Sequence, residues 1–161
     1  MGMPKPDALR KHVLELLEGK SAHADFDSAV SGFPVKRSGE KPRGAEHNAW
    51  QLLEHMRIAQ RDILEFTRNP KHISPKWPEG YWPEAEAPAE KTAWSKSVRA
   101  FRADLRAMMS LVADPAADLL SRIPHGQGQT LLREALLVAD HNAYHLGQLV
   151  MLRRLLGAWK T

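Results

Sequence analysis

Residues 130–156 constrain this chain more than any other stretch. They read as one long helix whose first half is apolar on almost every side: Leu131, Leu132, Ala135, Leu136, Leu137, Val138 and Ala139. A helix of that kind belongs in the middle of a packed structure, so other helices have to surround it. Thr130 is a good N-cap residue and Gly157 stands where such a helix stops. Four further helical segments can be read. Residues 7–18 carry Leu9, Val13, Leu16 and Leu17 at helical spacing, with Asp7 as N-cap and Gly19 as stop. Residues 22–30 form a short piece. Residues 46–67 form a long helix that ends before Asn69-Pro70. Residues 89–113 place Trp94, Val98, Phe101, Leu105 and Met108 on one face and stop at Asp114-Pro115. Residues 115–121 read as one more short helix. No strand and no internal repeat is legible. The expected fold is all-α: a four-helix bundle with long crossover connections and short extra helices, forming a single domain over residues 1–161.

Composition narrows the chemistry. The chain has 161 residues and no cysteine, which removes disulfides, thiolate ligands and a cysteine nucleophile. The N-terminus is polar with early prolines, unlike a signal peptide, and no apolar run spans a bilayer. The expectation is a cytoplasmic protein without membrane contact. The net charge of +4 is spread out, with Lys36, Arg37, Lys41 and Arg43 in one loop, Arg99, Arg102 and Arg106 on one helix, and Arg153 and Arg154 near the end. That distribution reads as solvated faces, and no nucleic-acid partner is expected. The connection 69–88 is long and holds five prolines, with the aromatic run Trp77-Pro78-Glu79-Gly80-Tyr81-Trp82-Pro83. Trp82 is a candidate wall of a pocket, although the same rings can simply pin the crossover to the bundle. Trp50 and Trp94 read as core, and Gly147 as a point of close helix approach.

Chemistry concentrates at Asp140-His141-Asn142-Ala143-Tyr144-His145. Residues four apart share a helix face, so His141 and His145 can reach one ion together. The spacing alone is weak. Glu134, Val138, Gln148, Leu149 and Leu152 lie on the same face, so both imidazoles point where apolar groups point. Buried imidazoles need partners. A shared metal supplies one, and hydrogen bonds to facing polar groups are the alternative. Gln148, one turn from His145, and Glu134, two turns from His141, are candidate pocket residues. A third ligand has to come from elsewhere. His72 and His125 fall in loops. On the helix 46–67, His55 turns toward the apolar stripe while His47 falls on the opposite, wet side. His55 ranks first for the third ligand, followed by His23 and then His12.

Two stretches carry a family resemblance. Trp50-Gln51-Leu52-Leu53-Glu54-His55-Met56 resembles the second-helix signature of the DinB/YfiT-like superfamily. His141 to Leu149, continued by Leu152-Arg153-Arg154-Leu155-Leu156-Gly157, resembles its last-helix signature. The resemblance implies a four-helix bundle with a divalent metal, zinc or nickel, on His55, His141 and His145. It also implies a homodimer and an enzyme acting on a small molecule, as a metal-dependent hydrolase or as a transferase that brings a low-molecular-weight thiol to the metal. Three neutral ligands leave coordination positions open, the pattern of catalytic zinc. The other reading is a non-catalytic metal or small-molecule binding module of stress-response type. No residue stands out as a general base, so the catalytic residues are unassigned.

Overall fold

A computed structural model describes residues 5–159, with side chains described from residue 8 onward. The described residues form five α-helices: α1 (Lys5–Glu18), α2 (Phe26–Val30), α3 (Ala49–Arg68), α4 (Ala93–Ala113) and α5 (Leu131–Leu155). Two short 3-10 turns, Val35–Arg37 and Glu79–Tyr81, lie in the connections. No strand is present among these residues; Arg122 and Thr130 make one isolated bridge. The all-α expectation holds, and the four long helices are α1, α3, α4 and α5.

Local chemistry sets the ends. Asp25 caps α2 by accepting from the Ser28 amide at 2.8 Å. Asn48 and Gln51 form a reciprocal capping box at the start of α3, each side chain bonding the other's backbone amide. Thr130 caps α5 through the Arg133 amide. Gly157 ends it with φ of 64°, a left-handed conformation that glycine adopts at no steric cost. Asp7 lies inside the described α1 rather than before it, and its side chain is outside the described residues. Residues 115–121 are not helical. Asp114 and Asp118 bond the amides of Ala116 and Leu120, and these local bonds compete with a helical ladder.

α5 packs against α1, α2, α3 and α4, the central place its apolar sequence demands. The core has two apolar halves. One joins Phe26, Trp50, Leu53, Met56, Trp94, Phe101 and Leu149; the other joins Val13, Leu64, Met108, Val112, Ala135 and Val138. Between them, along α3, α4 and α5, polar side chains take over. Asn142 of α5 donates to Gln60 of α3 at 2.9 Å, and Gln60 donates to the Phe101 carbonyl of α4 at 2.8 Å. Arg61 pairs with Asp104 at 2.8 Å at the same level.

Three expectations need correction. α5 is not covered throughout, since Leu136, Tyr144, Met151 and Leu155 are exposed along one face. Gly147 sits on that face, and a Cβ there would meet nothing within 4 Å, so it does not serve close helix approach. Arg153 is buried rather than solvated. Its guanidinium donates to the carbonyls of Ser28, Ala29, Ser31 and Ala158, because α2 passes over the end of α5. No described helix is long and apolar enough to cross a membrane.

Candidate metal centre

α3 and α5 bring three histidines together in the polar layer of the bundle. His55 of α3 and His141 and His145 of α5 each offer one ring nitrogen, and these nitrogens all lie within 4.8 Å of one another. His141 and His145 meet as expected for residues one turn apart, with ring centroids 4.5 Å apart. His55 reaches them from the neighbouring helix, its ring 4.9 Å from that of His141 and 4.5 Å from that of His145.

Hydrogen bonds fix which nitrogens are free. His55 Nδ1 lies 2.8 Å from the Tyr81 carbonyl oxygen. A carbonyl only accepts, so Nδ1 carries the proton and Nε2 presents a lone pair. His145 Nδ1 lies 2.6 Å from Gln148 Oε1, which leaves its Nε2 free in the same way. His141 Nε2 faces His55 Nε2 at 3.1 Å, while its Nδ1 is buried without a partner. Two facing imidazole nitrogens either share a proton or share an electrophile. An ion with bonds of about 2.0–2.1 Å to tetrahedral nitrogen ligands separates them by a little over 3 Å. The donor set fits a divalent ion.

Electrostatics favours the ligating form. Burial holds the His141 imidazole down to about 4, and His145 and His55 add to the effect. Burial also lowers His55 and His145, opposed for His55 by the Tyr81 carbonyl and for His145 by Gln148. At neutral pH all three are uncharged, as metal binding requires.

The covering wall comes from the proline-rich connection. Trp82 stacks on His55 with centroids 3.9 Å apart and planes 3° from parallel. His47 stacks on the same indole, also at 3.9 Å. Two nearly parallel rings at that distance cannot share one face, so Trp82 lies between them. His47 is therefore half-buried rather than wet. It precedes the cap Asn48 instead of belonging to the helix, so the helical phase that turned it outward does not apply. Over the triad lies a cavity of about 360 Å³, lined in addition by Trp77, Trp82, Leu137, Asp140 and Tyr144. A larger one of about 590 Å³ adjoins it at Tyr144 and is bordered by Arg43, His47, Gln148 and Met151.

The other candidates separate clearly. Gln148 orients His145 and borders the larger cavity. Glu134 is 2% exposed, bonded to Arg133 at 2.7 Å, and does not line the cavity over the triad. The runner-up ligands are elsewhere: His23 bonds the Ala24 carbonyl and His12 bonds Glu15, both on exposed surface. Sequence reading missed Tyr81, whose main chain sets the His55 tautomer, and missed Asp62 and His72 behind it. The Tyr81 hydroxyl donates to Asp62 Oδ2 at 2.6 Å, and His72 Nε2 lies 2.7 Å from Asp62 Oδ1. Burial and the Asp62 carboxylate push the Tyr81 phenol up to about 12, so it stays a donor.

The family comparison covers this whole centre. A family model described as DinB superfamily matches residues 18–149, which include all three histidines, the whole of α3 and α5 as far as residue 149. No curated protein and no solved structure matches the chain.

Proposed function

The chain belongs to the DinB superfamily, and on that premise we propose that His55, His141 and His145 hold one divalent metal ion, zinc or nickel, at the floor of a small-molecule site. The observation that carries this reading is the convergence of three ring nitrogens within 4.8 Å from two helices, beneath an accessible cavity. We infer an enzyme, either a hydrolase or a transferase that takes a low-molecular-weight thiol. Such an ion, when bound, activates water or a thiol as nucleophile at neutral pH. The protein's own share is positioning. Tyr81 and Gln148 hold two of the imidazoles in one tautomer, Trp82 fixes the plane of His55, and Trp77, Leu137 and Tyr144 line the open cavity above them. Asp140 is the one carboxylate among the described residues that lines the cavity, and it is the side chain available to take a proton. The remaining lining is aromatic or apolar, which suits a substrate with a ring or aliphatic body.

Asp140 is exposed, and no buried carboxylate among the described residues lines the cavity over the triad, which favours a second reading, a binder that holds a small molecule without turning it over. We also infer a homodimer through the exposed face of α5, and a cytoplasmic location. Metal analysis of purified protein tests the central step. Wild type is expected to carry one ion per chain, and His145→Ala far less. Equal metal content in the two proteins would remove the assignment. Ester, amide or thiol-transfer turnover lost in His141→Ala separates the enzyme from the binder.

A further inference from the structure

The metal reading leaves unused a second polar cluster, Asp62, His72 and Tyr81, which never touches the triad directly except through one carbonyl. Asp62 lies on α3 seven residues after His55, two turns along the same side of the helix. Its side chain is largely buried and both oxygens are engaged, Oδ1 with His72 at 2.7 Å and Oδ2 with the Tyr81 hydroxyl at 2.6 Å. Both partners belong to the proline-rich connection, one near its start and one in the Glu79–Tyr81 turn. The carboxylate therefore pins that connection at two points ten and nineteen residues away from itself.

The pinned turn is what shapes His55. The Tyr81 carbonyl accepts the Nδ1 proton and selects the tautomer. The next residue, Trp82, lies parallel to the ring and selects its plane. Asn48 holds the far end of the same connection by donating to the Glu86 carbonyl at 2.8 Å. The turn itself is tight: the Gly80 amide bonds the Lys76 carbonyl at 2.7 Å, and a Cβ on Gly80 would stand 2.7 Å from Pro75 Cβ. His55 is thus oriented by a segment that has no regular α-helix, held to α3 by the Asp62 carboxylate on one side of the turn and by the N-cap Asn48 at its far end.

We propose that Asp62 and Tyr81 form a latch that sets the metal affinity of the triad, with Asp62 acting as a positioning residue through Tyr81 on His55. The inference rests on the three-histidine metal reading. Loss of a partner that orients a metal-bound histidine weakens binding by roughly 10–100-fold. Linkage makes the effect reciprocal: if the latch tightens metal binding by some factor, the metal tightens the latch by the same factor. The proline-rich connection is then a metal-responsive element, held more firmly over the site in the loaded protein than in the metal-free one.

The test uses the full chain with zinc as probe. Zinc affinity is measured by competition with a chromogenic chelator for wild type, Tyr81→Phe and Asp62→Asn. Arg102→Gln, which breaks a distant ion pair with Asp27, serves as control. The visible spectrum of the cobalt-loaded proteins reports ligand geometry, and amide exchange in residues 69–88 is followed with and without zinc. The expected result is zinc binding weakened roughly tenfold or more in both latch variants, an altered cobalt spectrum, and loss of the zinc-induced protection of residues 69–88. The control should keep wild-type values. A folding defect alone would lower thermal stability without moving affinity or spectrum. Tyr81→Phe keeps the ring and removes one hydroxyl, so it tests the latch even if Asp62→Asn does not fold. Wild type that binds zinc alongside latch variants of equal affinity and spectrum overturns the latch alone. Wild type that takes up no zinc overturns the metal reading and this proposal with it.

Discussion

His141 bears the strongest environmental effect among the three histidines. Its folded-state imidazole is held at about 4, mainly by burial, against an ordinary value of 6.5. Above pH 6.5 the folded and unfolded forms are both neutral there, and its contribution to stability is complete. As pH falls from 6.5 toward 4 the unfolded chain takes up a proton that the folded chain refuses, so stability is lost across that window. His55 and His145 shift in the same direction. The metal-free protein should therefore melt at a lower temperature at pH 5 than at pH 7. His141→Ala should flatten this dependence, and a variant that stays as steep as wild type would contradict the account. How much of this site was legible in sequence depends on how local each signal was. The pairing of His141 and His145 follows from helix geometry, and the inward turn of His55 follows from phase. The roles of Tyr81, Asp62 and His72 depend on where an irregular connection lands, which no periodicity encodes.

Among the elements, α2 and the C-terminal end of α5 depend on each other through Arg153. One buried guanidinium supplies donors to four carbonyls, those of Ser28, Ala29, Ser31 and Ala158. Its charge is also set against the rings of Phe33 and Trp159. Hydrogen bonds to charged groups are worth about 1.5–3 kcal/mol, and a buried carbonyl left unpaired adds a desolvation cost. Arg153→Met should lower unfolding stability by about 3 kcal/mol in denaturant titrations. A loss under about 0.5 kcal/mol would place Arg153 among ordinary surface residues. The existence and order of the long helices were readable from apolar spacing, and their ends from caps. The start of α3 was readable too, because Asn48 followed by Gln51 three residues later is a capping signature. Placing the helix start at residue 46 instead put His47 in the wrong phase. Arg153 carried no such sign: it sits at a helix C-terminus, where a basic residue is expected on grounds of the dipole alone.

At the scale of the whole molecule, the bundle buries α5 on the sides that meet α1 to α4 and leaves Leu136, Tyr144, Met151 and Leu155 in the open. A second copy of the chain, set against this face, would cover it. Sedimentation should give about twice the 18.1 kDa of one chain, and Met151→Glu should return it to the single-chain mass. A wild-type protein that sediments as one chain would leave the face to solvent. This surface was hidden in the sequence because the first half of α5 is apolar on almost every side and gives no phase, while in the second half apolar residues stand on both the covered and the uncovered sides. The distance between His55 and His141 along the chain has a different kind of consequence. They stand 86 residues apart, in a protein without a single cysteine. An ion gripped by both would staple the first half of the bundle to its last helix. A cross-link around a loop of that length restricts the unfolded chain by an amount worth about 4–5 kcal/mol in the covalent case. The triad would then do for this chain what disulfides do for secreted proteins, with a bond that any chelator can undo.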